Sequence, residues 1–176
     1  MALPPPDALL LAVNCAVAAV LLHAGLSKLA VPVPLHRALV EVRAPAPLTT
    51  VPAVRGYAVV ECLAGVALLF GPTRAAGGAV VVLVGLAVAA LGVLGAARGS
   101  VAPCGCFGVR DGRPLGVANM VAGLGLATAG TVNLAAAART GAPAVLGATL
   151  AMLVLCLYVS RAWAWPLIRP RRGTSL

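Results

Sequence analysis

A chain of 176 residues has room for one domain. Its 61% hydrophobic and 10% charged residues, against about 45–50% and about 25% in soluble domains, could not cover a water-facing surface. The net charge of +9 sits between apolar runs, with no basic stripe and no interleaved aromatics, which argues against a nucleic-acid partner.

The composition therefore points to an integral membrane protein in a lipid bilayer. Aromatics are only 3%, so the apolar bulk is Ala, Val, Leu and Gly. That suits closely packed helices better than a barrel of alternating strands. The opening segment MALPPPD carries no Lys or Arg. It does not read as a secretory signal, and the first apolar run is expected to stay in the mature protein.

Five apolar runs follow in order, over residues 8–30, 52–70, 75–97, 115–138 and 143–165. Each is near the roughly 20 residues that a helix needs to cross the hydrocarbon. Gly71-Pro72 makes the turn between the second and third runs, and Gly141 with Pro143 separates the last two. Tyr57, Phe70, Trp163 and Trp165 lie at run ends, where interfacial aromatics belong. The expected fold is an all-α membrane bundle of about five helices, a four-helix core plus a C-terminal span. Between the first two runs, residues 37–50 form a Pro-punctuated loop too broken for a long helix. Glu41 is expected to pair there with Arg37 or Arg43.

Five spans would place the termini on opposite sides. Eleven of the thirteen basic residues, all but Arg74 and Arg139, then share a face with the loop between the third and fourth runs. The positive-inside rule puts the N-terminus outside and that loop in the cytoplasm of a bacterial inner membrane. Glycines 78, 85 and 92 recur every seven residues in the third run, as do glycines 116, 123 and 130 in the fourth. Seven residues are nearly two turns, so each set lines one face, and small residues let backbones approach closely in lipid. This predicts a tight antiparallel hairpin with the polar loop at its connection. A chain with 20 glycines also yields such spacing by chance.

The loop carries CGCFG, residues Cys104, Gly105, Cys106, Phe107 and Gly108. A disulfide across one residue closes a small strained ring, and Gly105 relaxes the backbone there. Strained disulfides tend to be labile or catalytic. Arg98, Arg110 and Arg113 would favour thiolate. A metal needs about four ligands, and the loop offers two sulfurs and no His. The readings are a redox couple, half of a metal site, or two idle thiols. Glu61 is a second candidate, because an intramembrane carboxylate is costly. At about 1.5 Å per residue it lies about 13 Å from the start of its run, and His23 lies about 10 Å from the end of the first. Lys28 is nearer the loop face. A Glu61–Lys28 or Glu61–His23 pair would relay protons, orient the loop or serve packing alone. Cys62 and Cys156 fall in the loop-side half and Cys15 toward the other face. The asparagines 14, 119 and 133 read as interhelical hydrogen-bonding groups.

HAGLSKL (23–29), ECLAGVALL (61–69) and CGCFG (104–108), in that order, resemble the MauE family, which belongs with DoxX-like redox-associated membrane proteins. The resemblance covers residues 8–138. Residues 139–165 then make an additional C-terminal helix and 166–176 a basic tail. It implies a helical bundle similar to quinone-linked thiol oxidoreductases, with a quinone as candidate acceptor. It also implies a thioredoxin-like partner, a link to methylamine metabolism, and a secreted client, the disulfide-rich small subunit of methylamine dehydrogenase. Lys28, Glu61, Cys104, Cys106, Phe107 and Gly108 are the positions carried over. An extracytoplasmic partner opposes the cytoplasmic loop implied by the charges. Metal handling, with thiolates passing a soft ion to Cys62 or Cys156, and a non-catalytic scaffold are the alternative functions.

Overall fold

The computed structural model describes residues 5–104 and 114–135, with side chains from residue 9. The fifth apolar run, the basic tail and the centre of the CGCFG loop lie outside the described residues. Helix α1 spans Pro5–Ala30, α2 Val33–Glu41, α3 Val51–Leu69, α4 Arg74–Ala97 and α5 Val117–Ala135. Among the described residues there is no strand, only an isolated antiparallel bridge between Pro103 and Pro114.

Local chemistry sets the boundaries. Helix α1 stops before Pro32, which is followed by the Pro34 of α2. Thr50 caps α3 by accepting the Ala53 N–H at 3.3 Å, and Pro52 occupies the first turn, where its missing N–H has no intrahelical role. After Leu69 the chain turns through Gly71–Thr73. The Thr73 hydroxyl donates to the Ala67 carbonyl at 2.9 Å, satisfying one end of α3.

Helices α2 and α4 end alike. In α2 the Ala44 N–H reaches Leu39 O and the Arg43 N–H reaches Val40 O; in α4 the Ser100 N–H reaches Gly95 O and the Gly99 N–H reaches Ala96 O. Both are Schellman caps, which need a left-handed residue at the penultimate donor. Gly99 supplies it at φ 61, and Arg43, unusually for a side-chain-bearing residue, at φ 47.

Helices α1, α3, α4 and α5 are long and apolar enough to cross a membrane, with mean hydropathy from 1.3 to 2.7 over their spans. Their distribution of residues is inverted relative to a water-soluble fold. Leu9, Leu63, Leu83 and Val121 are each at least 60% exposed, whereas Asn14, Lys28, Glu61 and Asn133 are at most 3% exposed. Outward Leu costs nothing in lipid, while polar groups there would lack partners.

Helix α1 packs on α3, α3 on α4, and α4 along α5. The heptad glycines do make the α4–α5 seam: Gly78 faces Gly130, Gly85 faces Gly123 and Ala127, and Gly92 faces Gly116 and Met120. A Cβ on Gly85 would sit 2.5 Å from Ala127 N and 2.6 Å from Gly123 O, so backbone meets backbone. Gly116 itself has open space where its side chain would be; its carbonyl, rather than its missing Cβ, is what Gly92 admits. On the far side of the bundle Asn133 Nδ2 donates to Asn14 Oδ1 at 2.7 Å, tying α5 to α1 as expected of these asparagines.

Candidate functional site

Residues 37–50 hold no long helix, as expected, but the first of them complete a nine-residue amphipathic helix, α2. Leu35, Ala38 and Leu39 are buried. With Val42, Ala44, Val54 and Leu115 they build an apolar cluster around Cys104, which is itself 3% exposed. Helix α2 and the turn after it are thus the floor of the cysteine site.

The partner expected for Glu41 is corrected. Glu41 Oε2 accepts from the Ser100 hydroxyl at 2.9 Å and the Ala102 N–H at 3.0 Å, and Oε1 accepts from the Val101 N–H at 3.0 Å. A carboxylate at a helix C-terminus opposes the helix dipole, so α2 gains nothing electrostatically from it. Its role is to hold the chain between the α4 cap and Cys104. The Val101 N–H and Ser100 hydroxyl, with Ala102 behind them, keep the Glu41 carboxyl below the usual carboxylate range. A lowered folded-state pKa contributes stability that is present above the ordinary value of about 4.3 and lost as pH falls through the folded value. Glu41→Gln is expected to raise hydrogen-exchange rates at Val101 and Ala102 at neutral pH while α4 stays protected. In the parent protein the same loosening should appear only on acidification below about pH 4. Equal protection in the two proteins at pH 7 would refute the latch.

Pro103 and Pro114 bridge across the base of the loop, leaving Cys104 just inside. Cys104 is disulfide-bonded, and its partner sulfur lies outside the described residues. Cys15 and Cys62 are not in disulfides. Asn119 Nδ2 donates to Cys104 Sγ over 3.6 Å, and Asn119 Oδ1 accepts the Gly116 N–H at 3.3 Å. Gly105, Cys106, Phe107 and Gly108, and also Cys156, fall outside the described residues. Among the described residues no group of three His, Cys, Asp or Glu side chains converges.

Beneath this cluster lies the second candidate. Lys28 Nζ sits 2.7 Å from both Oε1 and Oε2 of Glu61, with the side chains 3% and 2% exposed. Of the two pairings considered for Glu61, the geometry shows the one with Lys28; His23 is half-buried on α1. The approach is set three residues earlier, where Gly25 leaves room for Ala58 O and Cys62 Sγ of α3. Tyr57 does not behave as an interfacial aromatic. Its ring lies under Lys28 Nζ at 5.3 Å, a cation–π contact. Its hydroxyl is shielded from solvent and has no well-formed hydrogen bond among the described residues. A small pocket, with room for about one water molecule, is lined by Lys28, Leu35, Tyr57, Val88, Leu91 and Leu115. Leu35 and Leu115 also wall Cys104, with Tyr57 and Leu91 packed beside them. The ion pair and the cysteine are thus one layer of side chains apart.

The stretch of sequence that carries these elements matches a known family. The family model described as Methylamine utilisation protein MauE matches residues 6–136, well over half of the chain. The chain belongs to the MauE family. No curated protein and no solved structure matches it significantly. As a MauE family member with four helices able to cross a bilayer, it is a multi-pass membrane protein. The family match contains Lys28, Glu61, Cys104 and Asn119 together. Asn119 and Glu41 are the residues that sequence reasoning placed without seeing their link to the cysteine. The only signals available were an Asn in the first turn of a helix and a carboxylate at the end of an amphipathic one.

Proposed function

We propose that this MauE family protein assists thiol–disulfide exchange at the membrane, with Cys104 and Cys106 as the redox couple. The observation that carries the reading is the disulfide-bonded Cys104, pinned by Glu41 and Asn119 above a buried charge pair. A cysteine buried among aliphatic side chains cannot itself be reached by another protein. Cys106 is therefore the sulfur that a thioredoxin-like partner attacks. The partner's dithiol is oxidised to a disulfide by two electrons and the couple becomes two thiols. Returning the couple to its disulfide needs a two-electron, two-proton acceptor, for which a membrane quinone is the proposed class. Lys28 and Glu61, one layer below, support the couple by handling protons.

The family's description names methylamine utilisation, and the disulfide-rich small subunit of methylamine dehydrogenase is the proposed secreted client. The positive-inside rule supports a cytoplasmic loop in a bacterial inner membrane as the proposed orientation; labelling of reduced Cys106 in intact cells by a membrane-impermeant maleimide would overturn it.

The test is trapping of mixed disulfides in cells, read after acid quench and mass-tagged alkylation. Cys104→Ser and Cys106→Ser each remove the disulfide that the partner's thiolate attacks, so both are expected to trap no partner, whereas the parent protein yields a mixed disulfide at Cys106. Equal trapping in both variants and in the parent protein would rule the couple out. Stoichiometric bound metal lost on Cys104→Ser would replace it with metal handling.

A further inference from the structure

We infer that Asn119 is a positioning residue that makes Cys104 the leaving sulfur of its disulfide, so that exchange runs in one direction across the bond. The inference rests on the thiol–disulfide reading and assigns the polarity of that couple.

The amide orientation is set by its surroundings. The Gly116 N–H can only donate, so the oxygen of Asn119 must face it. The Nδ2 amine therefore faces Cys104 Sγ. Asn119 is 6% exposed and Cys104 3%, so this donor acts without competition from water. It also lies in the first turn of α5, Val117–Ala135, where the helix dipole presents positive charge. The side chains of Leu35, Val42, Val54 and Leu115, clustered with Cys104, carry no hydrogen-bond donor. The Glu41 carboxylate is taken up by residues 100–102, and Lys28 and Glu61 face each other. Among the described residues, Asn119 is the group that donates to the sulfur and can stabilise charge on it.

When a thiolate attacks the other sulfur of the disulfide, a new S–S bond forms there and the bond to Cys104 breaks. The electron pair settles on Cys104 Sγ as a thiolate, and Asn119 Nδ2 now donates to an anion. A hydrogen bond to a charged group is worth more than one to a neutral sulfur. The contact therefore strengthens along the reaction, lowering the barrier to this cleavage and favouring the reduced couple. The second thiol of the attacking dithiol then closes its own disulfide, which balances the two electrons.

The test uses the full-length protein in detergent with dithiothreitol as the dithiol. Asn119→Asp keeps an oxygen for the Gly116 N–H and suits the start of a helix, but places a carboxylate oxygen against the sulfur. Reduction is expected to slow by about tenfold or more. The pH profile of Cys104 alkylation in the reduced protein should move up by about one unit. Asn119→Ala removes the donor without adding charge and is expected to slow reduction and raise the alkylation profile in the same direction as Asn119→Asp, by less. A residue that merely caps α5 would leave both unchanged in Asn119→Ala, and that result overturns the inference. Failure of the redox reading is separately visible: the parent protein would trap no partner in cells while the dithiothreitol kinetics still respond to Asn119.

Discussion

Glu61→Gln and Lys28→Met are each expected to destabilise the protein by about 3–5 kcal/mol, because each leaves a charge buried without its counter-ion. Lys28 and Glu61 share two contacts of 2.7 Å at 3% and 2% exposure. Neither can turn outward to water without parting α1 from α3. The double variant Lys28→Met with Glu61→Leu should recover most of the stability, since apolar residues of similar volume replace the pair. Denaturation midpoints of the four proteins in one detergent give the coupling directly. The double variant also separates two roles. If the pair serves packing alone, the stable double variant exchanges disulfides at the parent rate. If it handles protons, that variant is folded and slow.

The second large effect concerns the seam between α4 and α5. Gly85→Val is expected to cost about 3 kcal/mol or more, since the atoms its Cβ meets, Ala127 N and Gly123 O, are backbone. They can yield only if the helices part. Parting them moves the start of α5, so the Asn119–Cys104 contact should go with it, seen as slower reduction of the Cys104 disulfide by dithiothreitol. Gly56→Ala is the control. Nothing lies within 4 Å of its would-be Cβ, and replacing Gly by Ala inside a helix contributes up to about 1 kcal/mol. A Gly85 variant as stable as the Gly56 variant would mean that the seam is looser than the contacts show.

The glycine seam was legible because a close backbone approach in lipid leaves a periodic trace that needs no partner to be seen. The intramembrane Glu61 and Lys28 were legible because a charge in an apolar run is conspicuous wherever it ends up. Glu41 was not. Its three donors are Ser100, Val101 and Ala102, two of them backbone N–H groups, and backbone donors carry no residue signature. Tyr57 read as an interfacial ring from its place near a run end, yet Lys28 comes from another helix to stand over it.

By itself, then, the sequence determined the class of protein, its apolar spans, the face on which α4 meets α5, and the short list of residues able to do chemistry. Those properties follow from composition and from periodicity along one chain. Tertiary structure alone decided the partners: Lys28 for Glu61, the Ser100–Ala102 segment for Glu41, Asn119 for Cys104, and α2 as the floor beneath the cysteine. Each joins residues far apart in sequence, and which groups meet depends on how helices turn and how closely they approach. Local pattern cannot encode that.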